Sequence, residues 1–329
     1  MTDATNLLCD ASVKLAVLAL PVWLATRRAG IARARVAHAA WLGLLAAATV
    51  LPFLTLWVAP STSLMPARAV RAAVSAAVPG PDLAIWLVRG YAVIAAALLL
   101  RLALGAWRIR RLRRDAWPVV ATNEQEAALV LAGAAHSVVL LETTAVGVPA
   151  TAGAWRPCVF LPAGWRDLDT GLVAAIVRHE LAHVRRRAYA TMVAVEIVRA
   201  LFWFHPVAWL ACARLRWFEE LICDRSAAGA DPLGYARALL AMARLASHRP
   251  PTLALSGGSQ LTRRVDLLIE LGGAPQHTPW LAAATLAIAV ALLSLLPFVQ
   301  VRLASASDAP TVLNDHAPVH AVRHGAHKH

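Results

Sequence analysis

Residues 172–187 read Leu-Val-Ala-Ala-Ile-Val-Arg-His-Glu-Leu-Ala-His-Val-Arg-Arg-Arg, with His179-Glu180-Leu181-Ala182-His183 at the centre. Leu172, Ala175, Ile176, Leu181 and Ala182 suit a helix, and Asp167 or Asp169 can cap its start. On such a helix residues four apart share a face, so His179 and His183 point the same way and can offer two imidazoles to one Zn²⁺. Glu180 is one step round. It is placed to touch a metal-bound water without being a ligand, and so to move that water's proton to a leaving amine. Two histidines alone do not complete a site. The chemistry needs a third ligand and an open fourth position.

A third ligand is available. Glu220-Leu221-Ile222-Cys223-Asp224 lies on a second helical stretch, Val207 to Ala228, where Glu220 and Asp224 again share a face. Glu220 can complete a His₂Glu set, and Asp224 can accept the outer N–H of a liganding histidine and fix its tautomer. The competing reading is a solvated helix face in which these acids pair with Arg214, Arg216 or Arg225.

Taken in order, His179-Glu180-x-x-His183, Phe202-Trp203-Phe204-His205-Pro206-Val207-Ala208-Trp209 and Glu220-x-x-Cys223-Asp224 resemble the BlaR/MecR family of integral-membrane zinc metallopeptidases. Val148-Pro149-Ala150-Thr151-Ala152-Gly153, Arg156-Pro157 and Phe160-Leu161-Pro162 fit the pattern that precedes the family's zinc helix. The resemblance implies one Zn²⁺ held by His179, His183 and Glu220, with Glu180 as catalytic base. It also implies a multi-pass protein of the bacterial cytoplasmic membrane. There it would cleave a cytosolic transcriptional repressor, such as a winged-helix protein, or itself in response to an outside signal. The family often carries an acidic residue after the basic cluster. This chain reads Arg185-Arg186-Arg187-Ala188-Tyr189, which removes a local salt bridge and leaves the metal site untouched.

The rest of the chain agrees with a membrane enzyme. Of its 329 residues 59% are apolar, and the mean hydropathy is positive, too oily for an ordinary soluble domain. A bilayer-crossing helix needs about 20 mostly apolar residues, and four segments come close: about 11–26, 38–59, 83–107 and 279–301. Arg27, Arg28, Arg33 and Arg35 follow the first, and Arg108, Arg110, Arg111, Arg113 and Arg114 follow the third. Arginine-rich loops stay in the cytosol, so the amino terminus and the carboxyl tail are expected outside and residues 108–278 inside. The division is then a membrane region over 1–107, a cytosolic zinc protease domain over 108–278, a fourth span over 279–301 and a disordered tail over 302–329. The net charge of +13 sits largely in the juxtamembrane clusters, which suit anionic lipid, and no nucleic-acid-reading motif accompanies it.

The fold class expected is a mostly α membrane protein, four transmembrane helices carrying a cytosolic α+β zinc metalloprotease domain. Short strands are predicted at 138–141, 145–148 and 158–161, and helices at 172–187, 190–204, 207–228 and 233–246. Residues 190–215 are strongly apolar yet hold Glu196, Arg199 and His205. A core helix pair, an interfacial hairpin and further spans compete for them, and because charges in a true span are costly the expectation is a core that also leans on the membrane. Cys9, Cys158, Cys212 and Cys223 form no C-x-x-C pair, and Cys223 reads as small-residue packing. His316, His320 and His324 recur every four residues and could bind metal ions. About thirty residues follow Val301, too few for the penicillin-binding sensor of the antibiotic-sensing relatives, and no S-x-x-K or K-T-G set is present.

A residue that stabilises the developing oxyanion is also expected, with His205, Tyr235 and Arg225 as candidates. Two other functions fit the motif: a zinc protease of membrane-protein quality control or peptide processing, and a non-catalytic receptor or scaffold with a structural zinc.

Overall fold

The computed structural model describes residues 2–57, 62–63, 81–123, 126–127, 129–130, 137–247, 258–273 and 299–300. In chain order the elements are α1 (Thr2–Thr26), α2 (Ala34–Trp57), β1 (Thr62–Ser63), α3 (Pro81–Asp115), β2 (Trp117–Pro118), β3 (Val139–Thr143), β4 (Ala150–Ala152) and β5 (Cys158–Pro162). Then follow α4 (Thr170–Arg185), α5 (Ala188–Leu201), α6 (Pro206–Ala228), α7 (Pro232–Ser247), α8 (Gly258–Gly273) and β6 (Val299–Gln300). The described chain is mostly helical, with one small mixed sheet beside the α4 helix.

That sheet runs β2-β3-β5-β4. β3 and β5 are parallel, and β2 and β4 are antiparallel additions at the two edges. β5 is buried along its whole length, as a central strand covered on both faces must be. One face holds Val138, Leu140, Val159 and Leu161 against Val173, Val177 and Leu181 of α4. Leu141, Cys158 and Phe160 face the other way, toward Ile109 and Leu112 at the end of α3 and Tyr189 of α5. Full burial of a Val or Leu side chain stabilises by about 1.5–3 kcal/mol, so this layer fixes the rotation of α4 about its axis.

The second core is helical. Leu15, Leu18, Trp41, Leu44 and Leu45 of α1 and α2 pack with Ala211, Leu215, Phe218 and Ile222 of α6 and with Tyr235, Leu239 and Leu268 of α7 and α8. Trp41 is fully buried and donates its indole N–H to Thr26 Oγ1 at 2.9 Å, which locks α2 against α1. Helix α4 therefore stands between the sheet and the helical core. Its third side, carrying His179 and His183, faces α6.

Among the described residues one helical stretch, Ile85–Asp115 in α3, is long and apolar enough to cross a membrane, and little of it is buried. The expected spans 11–26 and 38–59 fall mainly in α1 and α2. The expected span 279–301 lies outside the described residues except for Val299–Gln300, which pair in parallel with Thr62–Ser63. His316, His320 and His324 also lie outside them. The four helices predicted over 172–246 form within a few residues of their expected ends. The strand predicted at 145–148 does not form. That segment bends, and the strand is Ala150–Ala152. Pro149 cannot donate to a ladder and closes the bend just before it. Gly153 then turns the chain back toward β5 at φ 95°, where a Cβ would stand 2.5 Å from the carbonyl of Arg156.

Candidate metal centre

Helix α4 starts where Asp169 caps it, its carboxylate accepting the N–H of Leu172 at 3.0 Å. Two turns later His179 and Glu180 are buried, and His183 is partly open. The rings of His179 and His183 meet edge to face, with their Nε2 atoms 3.2 Å apart. Across from them, α6 brings Glu220, whose carboxylate oxygens lie 3.6 Å from His179 Nε2 and 3.7 Å from His183 Nε2. Three donors each about 2.0–2.1 Å from one tetrahedral Zn²⁺ would lie about 3.3 Å from one another. The observed triangle has that size, and its donors are the types that catalytic zinc takes. The residues present fit the metal.

The outer nitrogens of the two rings have different partners. His179 Nδ1 faces the Tyr235 hydroxyl at 2.8 Å and Asp224 Oδ1 at 3.3 Å, and Tyr235 donates to Asp224 at 2.9 Å. Asp224 is completely buried. It is gripped by Arg264 of α8, whose Nε and an Nη donate at 2.7 and 2.6 Å, while the other Nη reaches Glu220 at 3.0 Å. His183 Nδ1 instead faces Cys223 Sγ at 3.3 Å, with Glu219 Oε1 at 4.0 Å. Glu219 receives a two-pronged bond from Arg186, and His38 Nε2 of α2 lies 3.1 Å from it, off the hydrogen-bonding direction.

These neighbours set the charge of the site. Burial opposes charge on His179, but Asp224 and Glu220 outweigh it and lift the ring to about 10. Desolvation likewise opposes ionisation of Glu220, yet His179 and Arg264 hold its carboxyl far below the usual range. Asp224 is lowered against its burial by His179 and Arg264. Surroundings that favour a proton on His179 also favour a cation among these groups. His183, Glu219 and Cys223 form a second cluster of ligand type. Burial, then Glu219, drives the Cys223 thiol far up, so it stays protonated, and Glu219 is engaged by Arg186. The first cluster is thus the better cation site.

Glu180 projects beside the triangle toward the sheet. Its Oε2 accepts the hydroxyl of Thr151 at 2.6 Å, and Thr151 Oγ1 also reaches the Glu180 carbonyl at 3.1 Å. Thr151 lies in β4, the sheet edge next to α4.

The structure brings His179, Glu180, His183, Glu220, Asp224 and Tyr235 together. It does not bring His205 or Arg225 with them. His205 caps the start of α6, accepting the N–H of Val207 and meeting the carbonyl of Ser12, about 22 Å along the helix from Glu220 at about 1.5 Å per residue. Arg225 is exposed and donates to the carbonyl of Ala32. Sequence reasoning missed Arg264, which carries no spacing signal toward α6, and the Arg186–Glu219–His38 chain. Thr151 sat inside the quoted Val148–Gly153 run, but its bond to Glu180 had no sequence sign.

The family described as BlaR1 peptidase M56 matches residues 6–268, from α1 to within α8 and so including every residue of the site. The chain belongs to this family. It is therefore a metallopeptidase-type enzyme of a membrane-protein family, one whose members hold a metal, usually zinc. No curated protein sequence matches the chain at a significant level.

Proposed function

We propose that the chain is a zinc-dependent endopeptidase, anchored in the bacterial cytoplasmic membrane by four spans with its site in the cytosol. Its job in this reading is signal transduction, by cleaving a transcriptional repressor of winged-helix type or the chain itself. The observation that carries the enzymatic part is the convergence of His179 Nε2, His183 Nε2 and the Glu220 carboxylate within 3.2–3.7 Å, with Glu180 alongside. These three residues would hold Zn²⁺, which when bound supplies a Lewis acid for the scissile carbonyl and an acidified water.

The protein's own groups then have separate tasks. Glu180 takes the proton of the attacking water and returns it to the leaving amine. Thr151 holds the Glu180 carboxylate at one oxygen and leaves the other for that water. Asp224 and Tyr235 keep the His179 ring turned with Nε2 toward the metal. The Tyr235 hydroxyl is engaged with both of these groups, which favours ring positioning over oxyanion stabilisation as its task. An extended peptide adding to the free edge of β4 would run past Thr151 and so past Glu180.

The test is Glu180→Ala in purified protein, with bound zinc and peptide cleavage measured side by side. Zinc content should be unchanged and cleavage should fall by about 10²–10⁴-fold, the usual contribution of a general base. Cleavage at the wild-type rate would reject the catalytic assignment and favour a structural zinc.

A further inference from the structure

The α5–α6 hairpin packs against α1, α2 and α3. His205 Nε2, at the start of α6, meets the carbonyl of Ser12 at 3.1 Å. At the far end, Arg225 donates to the carbonyl of Ala32, in the loop between α1 and α2. Ser12 to Ala32 and His205 to Arg225 are equal steps in sequence, so α6 keeps pace with α1 and the loop after it. Glu219 beside His38, at the start of the second expected span, gives the same register from α2. Helix α3 gives it again from the other side. Tyr91 donates to the carbonyl of Leu201 at 2.8 Å and packs edge-on against Phe204, so the hairpin tip lies well up α3.

The outward surface of the hairpin is apolar at this depth. Ile197, Leu201, Phe204 and Trp209 are exposed, as are Val17, Leu20 and Leu24 on α1 and Trp86, Leu87, Val88 and Val93 on α3. Glu196 and Arg199 turn inward and pair with each other, while further along α6 Arg214 is half-buried and Arg216 is exposed. Glu196 binds both Arg199 and Arg216, and the Arg199 guanidinium stacks over Trp209 at 4.3 Å. A charged group is costly in a bilayer, and pairing of this kind is what lowers that cost. A hairpin exposed to water would have no need to pair Glu196 and Arg199 inward and present its large apolar side chains outward.

We propose that residues 190–215 of this hairpin are inserted in the lipid bilayer beside α1, α2 and α3, with Ile197, Leu201, Phe204 and Trp209 against lipid acyl chains. The inference rests on the membrane anchoring given under Proposed function. Its consequence is positional. Helix α6 leaves the lipid just before Glu219 and Glu220, at the level of Arg27 and Arg28, so the metal centre sits on the cytosolic membrane surface. A substrate must then offer its scissile bond close to the head groups.

The test uses the full chain in liposomes of phosphatidylethanolamine and phosphatidylglycerol. A photoreactive p-benzoylphenylalanine replaces, one at a time, Ile197, Leu201 or Phe204, with Val88 of α3 and Arg237 of α7 as controls. Lipid adducts are read by mass spectrometry after irradiation. Adduct yields at the hairpin positions should match Val88, and Arg237, which is exposed on the site side, should give none. Adducts at Val88 but at none of the three hairpin positions would overturn the insertion and leave membrane anchoring standing. Failure at Val88 as well would overturn both.

Discussion

Asp224→Asn separates the two tasks of the buried acid. Asp224 is fully buried, receives two bonds from Arg264 and one from Tyr235, and lies 3.3 Å from His179 Nδ1. The amide keeps the volume but removes the charge. Arg264 is then a buried cation short of a partner, and breaking a buried pair from one side costs about 3–5 kcal/mol. His179 also loses the acid that fixes its tautomer. Losing an outer-shell partner of this kind weakens metal binding about 10–100-fold, or about 1.4–2.7 kcal/mol. Removing a negative charge near the cation acts in the same direction. Two assays read the two terms: thermal or denaturant unfolding of the metal-free protein, and zinc affinity by competition against a chelator of known affinity. The double variant Asp224→Asn with Arg264→Gln should regain much of the stability, because no charge is then stranded. A single variant that binds zinc within about twofold of wild type would refute the reasoning, since the outer partner would then contribute less than the smallest expected effect.

Two further outcomes follow from other contacts. Thr151→Val removes the hydroxyl bonded to Glu180 and keeps the shape, so cleavage should slow about tenfold, near 1.4 kcal/mol, with zinc content unchanged in the same preparation. For Glu219, burial opposes ionisation but His38 and Arg186 outweigh it and hold the carboxyl near 2, against an ordinary 4.5. A depressed carboxyl stabilises the fold above its unfolded value and loses that contribution as pH falls toward its folded value. The stability gap between wild type and Glu219→Gln should therefore be roughly 3 kcal/mol near neutrality and shrink between about pH 5 and 2, measured by denaturant unfolding at several pH values. A gap that does not change with pH would show that Glu219 acts through packing alone.

What the sequence alone determined is the part of the site that is local. His179, Glu180 and His183 are fixed to one another by the pitch of α4, and Glu219, Glu220, Cys223 and Asp224 by that of α6, so their relative directions follow from spacing. The helix boundaries were legible for the same reason. The short edge strand was not, because an edge strand is defined by its neighbour. Ala150–Ala152 becomes a strand only by pairing with Cys158–Phe160. The tertiary structure alone decided which helix faces meet. It set the rotation of α4 between sheet and helical core, turned Tyr235 onto His179, and brought Arg264 from α8 to bind both Asp224 and Glu220. It also moved two expectations, leaving His205 as a helix cap and Arg225 at the surface. Such contacts join residues far apart in the chain through packing of apolar faces, and no local period encodes them. The pattern of one helix names the ligands. Only the packing of several helices shows which buried groups hold them in place.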